Sequence, residues 1–81
     1  MAFSSYKGKY SVTTRNITPI EPRGCSLIGN TIHVYSGSVQ QVMGGIQFYA
    51  GEIPFSFGYN YLECIKDENG VILWENNNKI S

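Results

Sequence analysis

Eighty-one residues, 42% of them hydrophobic and 15% charged, with six Lys and Arg balanced by six Asp and Glu, describe one ordered globular unit. A chain of this length buries about 60–65% of its unfolded surface, so the expectation is a single small β domain over residues 1–81 with one modest core. Zero net charge argues against a polynucleotide binder that works by neutralising phosphates, and the hydrophobic content argues against disorder.

The chain reads as short strands. "YSVTTRNIT" (10–18) is rich in β-branched and aromatic residues and predicts a first strand, stopped by "PIEPRG" (19–24), where two prolines and a glycine interrupt pairing. "CSLIGNTIHVYS" (25–36) predicts a tight hairpin around Gly29-Asn30 that pairs Ile28 with Thr31, Leu27 with Ile32, Ser26 with His33 and Cys25 with Val34. Cys25, Leu27, Ile32 and Val34 then face a core and leave His33 and Tyr35 at the surface. "SVQQVMGG" (38–45) is the one helical signal, with Ser38 and Gln41 at capping-box spacing and Gly44 as a C-terminal stop. "IQFYA" (46–50) is a fourth strand, and "GEIP" turns the chain.

"IPFSFGYNYLECI" (53–65) carries Ile53, Phe55, Phe57, Tyr59 and Tyr61 on alternate positions. A strand turns such a set to one face. The turn "DENG" (67–70) next predicts pairing of Asp67 with Val71, Lys66 with Ile72 and Cys64 with Trp74, which puts Leu62, Cys64, Ile72 and Trp74 on one face. Those even positions conflict with the odd stripe before them, so a bend is expected at Gly58 to Asn60. Ile53, Phe55 and Phe57 read as core wall, with Phe48 and Trp74. The tyrosines keep a polar end and read as contact residues.

The predicted fold is all-β with one short helix, a small barrel or roll of five to six mainly antiparallel strands, OB- or SH3-like in size. The order of strands around a short helix resembles that of OB-like barrels, an analogy of fold that rests on no sequence motif.

Charge is unevenly placed. Residues 1–50 hold four cations and one anion, 4 − 1 = +3, and residues 51–81 two cations and five anions, 2 − 5 = −3. Between Arg23 and Glu52 the chain has no charged residue, which predicts that part of this stretch is covered by the core, a partner or a second copy. Cys25 and Cys64 form no metal-binding motif with the single histidine. No secretory segment, membrane span or lipidation box is read from the sequence, so a cytoplasmic protein with reduced thiols is expected, and Asn16-Ile17-Thr18 is read as a chance sequon.

No catalytic constellation emerges. Ser26 opposite His33 lacks an acid to orient the imidazole, and the acids of "DENG" read as solvated turn residues. The expectation is a non-enzymatic binding module without cofactor or metal. It recognises or inhibits a partner protein, self-associates, and is of a kind found among phage and mobile-element accessory proteins. The candidate binding residues are Arg15, His33, Tyr35, Tyr49, Tyr59 and Tyr61, because tyrosine and arginine are enriched at interface hot spots. The alternative is a nucleotide or single-stranded nucleic acid on an OB-like aromatic surface.

Overall fold

A computed structural model describes residues 5–76 of the chain. Within them β1 (Ser5–Thr14), β2 (Cys25–Ile28), β3 (Thr31–Val42), β4 (Gly45–Ala50), β5 (Ile53–Gly58), β6 (Leu62–Asp67) and β7 (Ile72–Glu75) form one sheet, and a 3₁₀ turn, Tyr59–Tyr61, joins β5 to β6. The strand order is β5-β4-β3-β1-β6-β7, with β2 beside the first part of β3. Every pairing is antiparallel. The all-β class is as predicted, but the sheet ends at β5 and β7 without closing, so it is a roll and not a closed barrel. No helix long and apolar enough to cross a membrane occurs among the described residues.

The roll follows from its longest strand. One edge of β3 pairs with β1, while the other pairs first with β2, from Thr31 to Val34, and then with β4, from Gly37 to Val42. The change of partner coincides with a bulge, because Gly8 pairs with Gly37 but Tyr10 pairs with Val34. Gly8 has a left-handed φ of 139°, and a Cβ at Gly37 would collide with the Tyr49 carbonyl oxygen. Extra twist at a bulge curls a sheet, and these two facing glycines let it curl here.

The inner face collects Tyr10, Val12, Ile32, Val34, Val39, Ile46, Phe48, Ala50, Leu62 and Ile65, all buried, with Phe55, Phe57, Tyr59, Leu73 and Trp74 packed against them. Each fully buried aliphatic or aromatic side chain contributes about 1.5–3 kcal/mol relative to exposure. A run of rings crosses this core: Tyr10 stacks on Phe48 at 6.1 Å, Phe48 on Phe55 at 5.0 Å, and Phe57 meets both edge-on. The Tyr10 hydroxyl is buried with its ring and donates to the carbonyls of Ser38 (3.0 Å) and Tyr49 (3.1 Å).

The predicted Cys25–Val34 hairpin has the observed register at all four pairs. The first strand lies earlier than predicted, at Ser5–Thr14 instead of 10–18, because Asn16 takes a left-handed φ of 67° and turns the chain out of the sheet. The helix expected over 38–45 does not form. β3 continues to Val42, since pairing with β4 seats Val39 against Phe48 in the core, whereas a helix would bury Val42 and Met43, which are exposed. Gly44, with a φ of 84°, is the second central residue of a hairpin turn and not a helix stop.

The expected bend after β5 is the 3₁₀ turn, and it does change the facing parity. Two further bulges were not anticipated. Thr13 pairs with Cys64 but Thr14 with Leu62, which leaves Glu63 as an extra residue, and Ile65 pairs with Trp74 but Lys66 with Ile72, which leaves Leu73. Leu62, Ile65 and Trp74 therefore face the core, while Cys64 and Ile72 turn to the other face, correcting their predicted grouping. The turn itself is as predicted: Gly70 takes a φ of 83°, and the Asp67 carboxylate accepts from the Asn69 and Val71 amides. The polar tail from residue 77 lies outside the described residues.

Candidate functional site

The six residues singled out from the sequence fall into three places. His33 and Tyr35 stand on the outer face of β3, where Tyr35 is 56% exposed and donates to the Ser26 hydroxyl at 2.8 Å. Tyr49 lies on the outer face of β4, opposite Ser38 and Pro54. Arg15, Tyr59 and Tyr61 gather at the 3₁₀ turn: the Arg15 amide donates to the Tyr61 carbonyl at 3.0 Å, and its guanidinium lies 3.8 Å from the Glu63 carboxylate.

Tyr61 is 45% exposed, but Tyr59 is not turned outward as expected. Its ring packs on Trp74 at 5.7 Å and its hydroxyl donates to the Val42 carbonyl at 3.1 Å, so it ties the β3–β4 turn to β7. A stacking surface for bases needs successive aromatics on an open face. Here Tyr10, Phe48, Phe55 and Phe57 stack on one another within the roll, and the most exposed rings, Tyr35 and Tyr61, sit on separate elements.

A continuous groove lies elsewhere. The loop between β1 and β2 and the edge strand β5 enclose an open groove of about 520 Å³, lined mainly by apolar residues, Ile17, Pro19, Ile20 and Pro22 on one wall and Ile53, Pro54, Phe55 and Phe57 on the other, with Thr18, Glu21, Arg23 and Ser56 among them. All three prolines of the chain are in it. Pro19 is buried and anchors the loop, while Ile20 beside it is 89% exposed. Ile53, expected in the core wall, is exposed here instead, because it opens β5 directly after the turn.

Local hydrogen bonds hold the loop wall. The Asn16 side-chain amide donates to the Asn60 carbonyl (3.3 Å), the Leu27 amide donates to the Glu21 carboxylate (2.9 Å), and the Cys25 amide donates to the Pro22 carbonyl (3.1 Å). Prolines restrict the loop before any partner arrives, which lowers the ordering cost of binding.

The strand wall is shaped by register. Gly51 and Glu52 form a two-residue turn closed by Ala50 and Ile53, so Ile53, Phe55 and Phe57 direct their backbone groups to β4. Pro54 and Ser56 direct theirs outward. The missing N–H of Pro54 thus falls on the open side, where it costs no ladder bond and removes a donor that a foreign strand would use.

Titratable groups offer little chemistry. Burial, and after it the Glu21 carboxylate, pushes the Cys25 thiol above its ordinary range. Burial likewise raises the Tyr10 phenol. Ser26 faces His33 across the strands, and its Oγ accepts from the Tyr35 hydroxyl. No cluster of metal-ligating side chains occurs among the described residues.

The sequence hid this groove because it joins two distant segments, one read as a breaker and the other as core. The concentration of prolines and the charge-free strands after Arg23 were the available signals. The geometry defines a small, open, all-β roll with an apolar edge groove. No protein family matches the chain, and neither curated proteins nor solved structures include one significantly similar to it.

Proposed function

We propose that this is a non-catalytic recognition module that binds a partner protein through the groove between the β1–β2 loop and β5, and restrains that partner by occupying its surface. The observation that carries the reading is the gathering of Ile20, Ile53, Phe55, Phe57 and all three prolines along one open edge. Ile20, Ile53 and Pro54 are the exposed members of this group, exposed apolar side chains grouped together mark contact surfaces, and a pre-shaped wall favours affinity. Cys25 and Cys64 are free thiols on opposite faces of the sheet.

Self-association through the same groove belongs to the proposal. Capture from a lysate of the source organism, with wild type, Ile20→Asp, Ile53→Asp and the distant surface control Val71→Asp as baits, tests it. A protein retained by wild type and Val71→Asp but lost from both groove variants is the expected result. Retention by all four baits, or by none, refutes the groove as the recognition site. Light scattering of the eluted chain reads self-association at the same time, and a monomer at every concentration removes that part.

A further inference from the structure

A second depression lies on the outer face, away from the proline groove. Lys7, Ser36, Gly37, Ser38, Tyr49, Gly51 and Glu52 line an open cleft of about 510 Å³, within the range of roughly 300–1,000 Å³ usual for small-ligand sites. Gly37 lines the cleft and admits no side chain, because a Cβ there would point toward the core and meet the Tyr49 carbonyl and Val34; the glycine is a notch in β3 that neighbouring backbone fills.

The floor is fixed from beneath and from the side. The Tyr10 hydroxyl donates from the core to the Ser38 and Tyr49 carbonyls, and the Gly51 amide donates to the Ser36 carbonyl at 2.8 Å. The walls are different. No hydrogen bond or ion pair within the described residues engages the side chains of Lys7, Ser36, Ser38, Tyr49 or Glu52. Register extends the surface by one more row, in which Ser5, Gln40, Gln47 and Ser56 lie side by side across four strands. Elsewhere on the outer face, hydroxyls pair within the protein, as Thr13 does with Thr31 and Tyr35 with Ser26.

We infer that this cleft binds a neutral, polyhydroxylated ligand, a saccharide of one or two rings. Vicinal sugar hydroxyls both donate and accept, and the cleft with its adjoining row presents both kinds of group: the Lys7 ammonium and the Gln40 and Gln47 amides as donors, the Glu52 carboxylate and the amide oxygens as acceptors, and hydroxyls that do either. Tyr49, half-buried at the centre, offers a ring for the apolar C–H face of a sugar. A phosphorylated ligand is disfavoured because Glu52 offsets Lys7 on the rim. An apolar protein anchor finds no matching surface here. Pro54 and Ser56 of β5 border both this surface and the proline groove, and the loop wall with Ile20 belongs to the groove alone.

The test is a two-dimensional amide NMR titration of the full chain with glucose, galactose, N-acetylglucosamine, lactose, cellobiose and chitobiose. At least one is expected to give saturable, millimolar-range shifts confined to Gly37, Ser38, Gln40, Gln47, Tyr49 and Gly51. Binding is expected to weaken about tenfold or more in Tyr49→Ala and in Gln47→Ala, both outward-facing substitutions, and to persist in Ile20→Asp. Absence of a saturable response to every sugar overturns the inference. So does a response that survives unchanged in both cleft variants, or one given only by inorganic phosphate.

Discussion

The two ends of the sheet protect themselves in different ways. β7 is a short edge of four residues in an acidic setting, with Glu75 on it and Glu63, Asp67 and Glu68 on the adjoining β6 hairpin. Charge keeps such an edge from pairing with other chains. β5 has no charged residue between Ile53 and Gly58 and relies on Pro54 at an outward position. An edge guarded by charge discourages strand pairing by keeping its groups solvated, whereas one guarded by proline blocks strand pairing and stays open to apolar side chains. The second kind of edge is where recognition is proposed.

The largest expected effect sharpens how the β5 end is built. Gly37→Ala forces a methyl group against the Tyr49 carbonyl and disturbs the β3–β4 ladder that supports β5. It is expected to destabilise the fold by about 3 kcal/mol, as overpacking does where backbone is the obstacle. Thermal unfolding reads this as a fall of about 4–8 °C per kcal/mol. An unchanged midpoint contradicts the notch.

At the β7 end a polar clamp takes the place of the glycine notch. Asn76 is buried, its side-chain amide donates to the Tyr59 and Leu62 carbonyls at 3.0 Å each, and its backbone amide donates to the Glu63 carbonyl. Asn76→Ala leaves two carbonyls without these donors and is expected to cost about 2 kcal/mol. Denaturant titration is the check, and a loss under about 0.5 kcal/mol, the range of ordinary surface substitutions, shows that the turn does not depend on the clamp.

Pro54→Thr breaks the comparison itself. It restores an outward N–H on β5 and is expected to change monomer stability little while promoting concentration-dependent association, measured by light scattering. Val71→Thr, next to β7, is the matched substitution and is expected to leave the association state unchanged. Equal behaviour of the two variants removes the distinction between the edges.

The smallest effect concerns pH. Because burial raises the Cys25 thiol in the folded chain, the native state holds that proton more tightly than the unfolded state does. The resulting stabilisation is complete below the ordinary thiol pKa of about 8.5 and is lost as pH rises through the raised value. The stability difference between wild type and Cys25→Ser is therefore expected to be constant near neutrality and to change only in alkaline solution. A change centred below neutrality contradicts the sign.

Much of the architecture was legible where local chemistry and pattern agree. Gly29-Asn30 between alternating strands fixed the Cys25–Val34 register, and "DENG" announced its bulged turn. The Ser38–Gly45 segment misled because its capping-like spacing is local, while the ladder to Ile46 and Phe48 that overrides it is not. The facing of Cys64 and Ile72 depended on extra residues at Glu63 and Leu73, and neither carries a bulge signature. Arg15, Tyr35 and Tyr49 were identified by residue type alone, and residue type does not bring three strands' worth of side chains together. The groove needed the fold, because loop residues 17–23 meet β5 only after β3 and β4 have formed between them.

Site-specific photo-crosslinking tests the central claim most directly. A benzophenone side chain introduced at Ile20, at the groove, or at Val71, beside the opposite edge, is irradiated in lysate of the source organism and the products are compared. The proposed recognition surface predicts a discrete protein adduct from position 20 and none from position 71. Adducts of the same protein from both positions, or from position 71 alone, contradict it.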